Sequence, residues 1–136
     1  MKYIILSLLI IFIVVKADKC GGNCPGGTCP SCPCGTTPNR VNVPEICKGH
    51  SWNQNCCVCV VNAESSGNAN AMNYGGGRFY VGLFQISQIH WPSCSGGSAP
   101  CNPTTNRNCA IAVYKGAGNR WNPWSVASRC GCLNSP

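Results

Sequence analysis

The sequence predicts a small α+β fold, mostly helical with a short β-hairpin region and rich in disulfides. Three observations predict it. Fourteen cysteines fall within 136 residues, all of them after residue 17. Apolar residues recur at helical spacing from Trp52 to Ala63. A glycine triplet, Gly75 to Gly77, precedes FYVGLFQIS, which reads as a strand or an apolar buried run.

The first seventeen residues, MKYIILSLLIIFIVVKA, form a charged start, an apolar run from Tyr3 to Val15, then Lys16 and Ala17. That run is too short to span a bilayer comfortably. Val15 and Ala17 are small residues at the offset that signal cleavage requires. Residues 1–17 therefore read as a secretory signal removed after Ala17. The expected destination is outside the cell, or a lysosomal or phagosomal lumen.

Residues 18–44 hold five cysteines and five prolines. Such a segment cannot build a core of its own and reads as disulfide-stapled loop. The CPSCPC stretch resembles a thiolate metal cluster, but in a secreted chain disulfides are the expected fate of those cysteines. No metal or other cofactor is expected. Residues 45–136 read as a separate domain that follows this segment.

Ser51 and Gln54 form an S-x-x-Q capping box ahead of CCVCVV. Trp52, Cys56, Cys59 with Val60, and Ala63 share one face, so a helix is expected from about Trp52 to Glu64. It stops at SSGN. Further on, Asn106 or Asn108 is the expected cap of a helix through CAIAVYK, closed by Gly116 and Gly118. Asn122 before Pro123 signals a last short helix through NPWSVASRC.

The formal charge is +7. Without Lys2 and Lys16, eight basic residues remain against three acidic ones, Asp18, Glu45 and Glu64. A basic secreted protein is drawn to anionic surfaces such as bacterial walls. The basic residues are scattered, which argues against a nucleic-acid partner and against a cationic membrane helix. The expected state is a monomer with no stable membrane insertion.

Glu64 falls at the C-terminal end of its helix, after apolar residues. Burial and the negative end of the helix dipole both favour its neutral form. A carboxylic acid kept protonated near neutral pH serves as a general acid, which is what glycosidic cleavage needs at the leaving oxygen.

CVVNAES, Ala71 and Asn73, GLFQIS, Trp91 and Cys94, the Asn-Cys-Ala of residues 108 to 110, and Trp121-x-x-Trp124 before Cys130 occur in this order. Together they resemble the chicken-type lysozymes over about 75 residues, from Cys56 to Cys130. ES followed by GLFQI is shared with goose-type lysozymes and lytic transglycosylases. Residues 18–50 lie outside the resemblance.

The resemblance implies a lysozyme-like fold and a role for each matched residue. Glu64 would be the general acid. Trp121 would form an apolar wall beside it. Asn73 and Gln85 would line the cleft and hydrogen-bond sugar or water. Trp91 would stack on a sugar ring. His90 beside it, apart from the resemblance, reads as a surface or rim residue outside the site. Cys59 would pair with Cys130. The implied partner is peptidoglycan or a related N-acetylated glycan.

The resemblance breaks at one position. Chicken-type lysozymes carry an aspartate where this chain has Tyr80. The paired-carboxylate retaining mechanism loses its nucleophile. A water held by Gln85, Asn73 or Tyr80, the N-acetyl oxygen of the sugar, or Tyr80 itself would have to replace it. The alternative is a catalytically degenerate protein that binds glycans without cutting them.

Overall fold

The computed structural model describes residues 18–136, so the expected signal segment lies outside the described residues. Among the described residues the chain is a small α+β fold. It has four α-helices, α1 (Val43–Cys47), α2 (Gln54–Ser65), α3 (Trp91–Cys94) and α4 (Pro103–Gly116). Its sheet has three strands, β1 (Met72–Gly75), β2 (Arg78–Val81) and β3 (Ile86–Ser87), antiparallel in sequence order. Seven disulfides use every cysteine.

α2 forms where expected but starts two residues later. Its cap is Asn53, whose side chain accepts from the Cys56 amide at 3.0 Å. The Ser51 capping box is not formed. Gln54 instead donates to the carbonyl of Pro44 at 2.9 Å and ties α2 to α1. Trp52 stays outside the helix, because its indole donates to the Cys47 carbonyl at 2.8 Å and its ring joins the core. The buried face is Cys56, Cys57, Val60, Val61 and Ser65, while Cys59 and Ala63 are exposed. The face is rotated because two adjacent cysteines point inward to separate partners. Cys57 joins Cys47 and Cys56 joins Cys132.

The FYVGLFQIS run is not one strand. β2 ends at Val81, a turn covers residues 82 to 85, and β3 is two residues long. The turn is imposed at Gly82, which has φ +79° and no room for a side chain. A Cβ there would lie 2.0 Å from the Asn106 amide nitrogen. Asn106 is fully buried and donates to the carbonyls of Val81 and Pro100, at 2.9 and 2.8 Å. It accepts from the Phe84 amide at 2.9 Å.

Asn106 is therefore a core tie and not a helix cap. The cap of α4 is Asn102, which accepts from the amides of Thr104 and Thr105 and is followed by Pro103. α4 begins one turn earlier than the apolar pattern indicated. The expected helix at 122–130 is replaced by turns and a 3-10 segment, Ser125–Ala127. Trp124 is extended (ψ 117°), held so by its indole bond described below.

Residues 18–42 form no helix and no strand of the sheet. Cys20–Cys32 and Cys24–Cys29 staple the segment internally, and Cys34–Cys101 ties it to the loop before α4. Every cysteine of CPSCPC is thus in a disulfide. Cys20, Cys24, Cys29 and Cys34 pack into the same core as Val60, Leu83 and Trp121.

Candidate active site

Three disulfides anchor α2: Cys47–Cys57, Cys56–Cys132 and Cys59–Cys130. The last is the pairing the resemblance implied. α2 ends at Ser66 in the left-handed conformation, its amide bonded to the Asn62 carbonyl. The chain turns away there, and Glu64 is left on the last turn of a helix fixed to its surroundings by covalent bonds.

Glu64 is half-buried and lines a cavity of about 410 Å³. Burial raises its carboxyl pKa above the ordinary value, and the nearby Arg129 guanidinium opposes the rise. Burial is the larger effect, because removing a carboxylate from water disfavours its charge directly. Arg129 precedes Cys130, so the Cys59–Cys130 bridge is what holds this cation near α2.

The sheet supplies one wall of the cavity. Asn73 pairs with Tyr80 across β1 and β2, and Tyr80 pairs with Ser87 across β2 and β3. Partners directly opposite share a face of the sheet. The row Asn73, Tyr80, Ser87 lines the cavity. The Ser87 hydroxyl has no hydrogen-bond partner among the described residues.

Gln85 lies in the turn that leads to β3. Its φ is +49°, a left-handed conformation that costs a non-glycine residue roughly 1–2 kcal/mol. The strain fixes a clamp. Its side-chain amide donates to the carbonyls of Ala71 at 3.1 Å and Gly82 at 3.0 Å. The Gln85 carbonyl oxygen accepts from no group among the described residues and is left for the cleft. Strained residues that surrounding contacts hold in place cluster at functional sites.

The cavity lining also contains a tryptophan, but not the expected one. Trp124 lines the cavity with Pro123 and Val113. Its indole donates to the Phe84 carbonyl at 2.9 Å. Trp121 is fully buried and packs on Trp52 and Tyr114, each at 5.2 Å, and on Trp124 at 5.4 Å. Its indole donates to the Pro136 carbonyl. It supports the wall from behind. In a W-x-x-W pair no local pattern separates the two roles, and only the hydrogen bond across 40 residues does.

Trp91 is likewise in the core and not in the cleft. It is 7 % exposed and donates to the Ile86 carbonyl at 3.2 Å, which buries the ring against β3. No face is free to stack on a sugar. His90, the residue before it, lines the cavity. The structure thus brings together Glu64, Asn73, Tyr80 and Gln85 of the predicted residues, excludes Trp91 and Trp121, and adds Ser87 and Trp124.

The remaining acidic residues are engaged elsewhere. The Asp18 carboxylate accepts from the amides of Cys20 and Cys24, both at 2.7 Å. Glu45 pairs with Lys48 at 2.6 Å on the surface of α1. Glu64 is therefore the one carboxylate available to this cleft.

No described helix is long and apolar enough to cross a membrane. No curated protein and no solved structure matches the chain. A family model described as a lysozyme-like domain matches residues 47–126, which hold α2, the whole sheet, α4 and Trp124. With more than half its length in that match, and with a half-buried glutamate at the head of the cleft, the chain belongs to the family of lysozyme-like domains.

Proposed function

We propose that this protein is a lysozyme-like glycosidase, secreted or delivered to a lysosomal or phagosomal lumen after removal of residues 1–17. It hydrolyses the β-1,4 bond between N-acetylmuramic acid and N-acetylglucosamine in bacterial peptidoglycan. Residues 45–136 form the catalytic unit. The observation that carries this reading is the setting of Glu64: half-buried, raised in pKa, and facing Asn73, Tyr80 and Gln85 across one cleft.

Glu64 gives its proton to the glycosidic oxygen as the C1–O bond breaks. The leaving sugar departs as an alcohol, and positive charge develops on the ring carbon and ring oxygen. Glu64, now ionised, takes a proton from the water that replaces the leaving group. Before that water arrives, the acetamido oxygen of the same sugar bonds C1 and holds the charge. Water then opens that ring, and the acetamido group is restored. One carboxylate acts in both steps, first as acid and then as base. The Gln85 carbonyl oxygen and the Asn73 amide orient the acetamido group and the water.

Tyr80 takes the place of the second carboxylate seen in chicken-type lysozymes. In this reading it positions substrate and forms no bond to it. The single-glutamate cleft is closer in kind to goose-type lysozymes and lytic transglycosylases.

Mass spectrometry of peptidoglycan digested by the purified protein, with Glu64→Gln alongside, tests the reading. Soluble muropeptides with ordinary reducing ends, absent with the variant, are expected. No cleavage by either protein between about pH 4 and 8 would identify a binding protein whose Tyr80 marks a lost activity.

A further inference from the structure

Glu64, Asn73 and Gln85 line two cavities. The first is the cleft described above. The second, of about 530 Å³, opens where the end of α2 meets the cysteine-rich segment. Gly22, Asn23, Pro25 and Arg40 form one side of it. Ala63, Ser66 and Ala71 are on the other. The first four precede residue 47, so they lie outside the lysozyme-like domain match. The domain carries Glu64, and the added segment walls the space next to it.

That wall is built rigidly. Asn23 is fully buried and donates to the carbonyls of Gly35 and Thr37 at 3.0 and 3.2 Å. Its side-chain oxygen accepts from the buried Asn68 amide at 2.9 Å. Its backbone carbonyl accepts from the Met72 amide at 2.6 Å, at the start of β1. Val41 and Asn39 exchange backbone bonds with Gly67 and Ala69, and Arg40 bridges Asn68. Thr28 donates to the Tyr74 carbonyl at 3.1 Å, so the segment also braces the hairpin. Removing the Asn23 side chain would leave the buried Asn68 amide without this acceptor.

Arg40 is the cation of this cavity. One guanidinium nitrogen donates at 2.9 Å to the carbonyl of Ser66, which lines the same cavity. No carboxylate pairs with it, since the one ion pair among the described residues is Lys48 with Glu45. Its other donors are free to bind an anion, and a guanidinium fork suits a carboxylate.

We propose that the cysteine-rich segment forms a second saccharide site across Glu64 from the first cleft, and that Arg40 reads a carboxylate on the sugar bound there. The ligand class is an acidic, N-acetylated oligosaccharide that runs through both cavities past Glu64. The proposal rests on the glycosidase reading for its ligand, and is tested by binding so that the two can fail separately.

The experiment uses the Glu64→Gln protein, in which binding is measured without turnover, by calorimetry. The probes are two hexasaccharides: a neutral N-acetylglucosamine oligomer, and a peptide-free alternating N-acetylglucosamine and N-acetylmuramic acid oligomer. Adding Arg40→Gln is expected to weaken the acidic probe about tenfold and the neutral one less than about twofold. Adding Ala63→Trp, on the exposed face of α2, is expected to reduce both hexamers to the affinity of a tetramer. Equal loss, or none, on the two probes with Arg40→Gln overturns the role of Arg40. Full hexamer affinity with Ala63→Trp overturns the second site, as does absence of saccharide binding by every variant. If the wild-type protein cuts nothing but this pattern of binding holds, the glycosidase reading falls and the second site stands.

Discussion

The indole nitrogen of Trp124 donates to the carbonyl oxygen of Phe84 at 2.9 Å. This bond joins the last turns of the chain to the turn that presents Gln85. Trp121 packs behind Trp124 and contributes bulk rather than surface. The two tryptophans should therefore separate experimentally. Trp121→Ala removes a fully buried ring and should cost about 3–5 kcal/mol of stability. Trp124→Phe keeps an apolar wall but leaves the Phe84 carbonyl without its donor. It should cost about 1–3 kcal/mol and lower kcat through the displaced Gln85 turn. Thermal melting and kinetics on soluble oligosaccharides check both. A Trp124→Phe enzyme with unchanged kcat would sever the link between the wall and catalysis.

Burial holds the Glu64 carboxyl pKa up, and Arg129 pulls it partly back. In the proposed mechanism the acid form is the active one for leaving-group protonation, so kcat/KM should fall as pH rises through the raised pKa. Arg129→Gln removes the opposing charge and should move that alkaline limb to higher pH. A move to lower pH would assign the limb to another group. Stability follows the same sign. The folded state holds the proton more tightly than the unfolded chain, so this contribution is present at low pH and is lost as pH rises through the folded value. Glu64→Gln should thus melt no lower than wild type at neutral pH, while kcat drops about 10²- to 10⁴-fold.

Gly82 combines a φ of +79° with an Asn106 side chain where its Cβ would be. Gly82→Ala would push Asn106 off Val81 and Pro100 and misplace the turn. A loss of about 2–4 kcal/mol is expected from strain together with the broken buried bonds. Gly75→Ala, whose added Cβ would meet nothing within 4 Å, is the control and should change stability by less than about 1 kcal/mol. Denaturant titration of the pair decides. Equal stability of the two variants would remove the steric account of the turn.

Cys34–Cys101 closes a separation of 67 residues and is the one disulfide between the cysteine-rich segment and the rest. The chain-entropy account gives an upper value of about 4 kcal/mol for a loop of that length. The bridges retained within it reduce the loss. Replacing both cysteines by alanine should lower the melting temperature and raise amide exchange first at Met72 and Ala69, whose amides donate to the carbonyls of Asn23 and Asn39 in the segment. Uniform exchange across the whole chain would show that the segment does not open as a unit.

Much of the site was legible in the sequence because its signals are local. The helix that carries Glu64 follows from the spacing of its apolar residues. Asn73 and Gln85 stand in a short stretch whose order resembles lysozymes, and Tyr80 is the position where that resemblance breaks. Other readings failed where a distant partner outweighed the local rule. Asn106 has the composition of a cap but is drawn into the core by three backbone groups from other segments. Ser51 has the capping motif, yet Asn53 forms the cap because Trp52 is claimed by the carbonyl of Cys47.

The sequence by itself determined an oxidised, disulfide-stapled α+β chain with one glutamate at the end of an amphipathic helix. Composition and spacing within a few turns suffice for that. The tertiary structure alone decided the six cysteine pairings other than Cys59–Cys130, which tryptophan lines the cleft with Glu64, that Trp91 is core, and that residues 22 to 40 wall a second cavity. Each depends on contacts between residues far apart in the chain. Such contacts are set by packing and by the need to satisfy buried polar groups, and no local pattern records them.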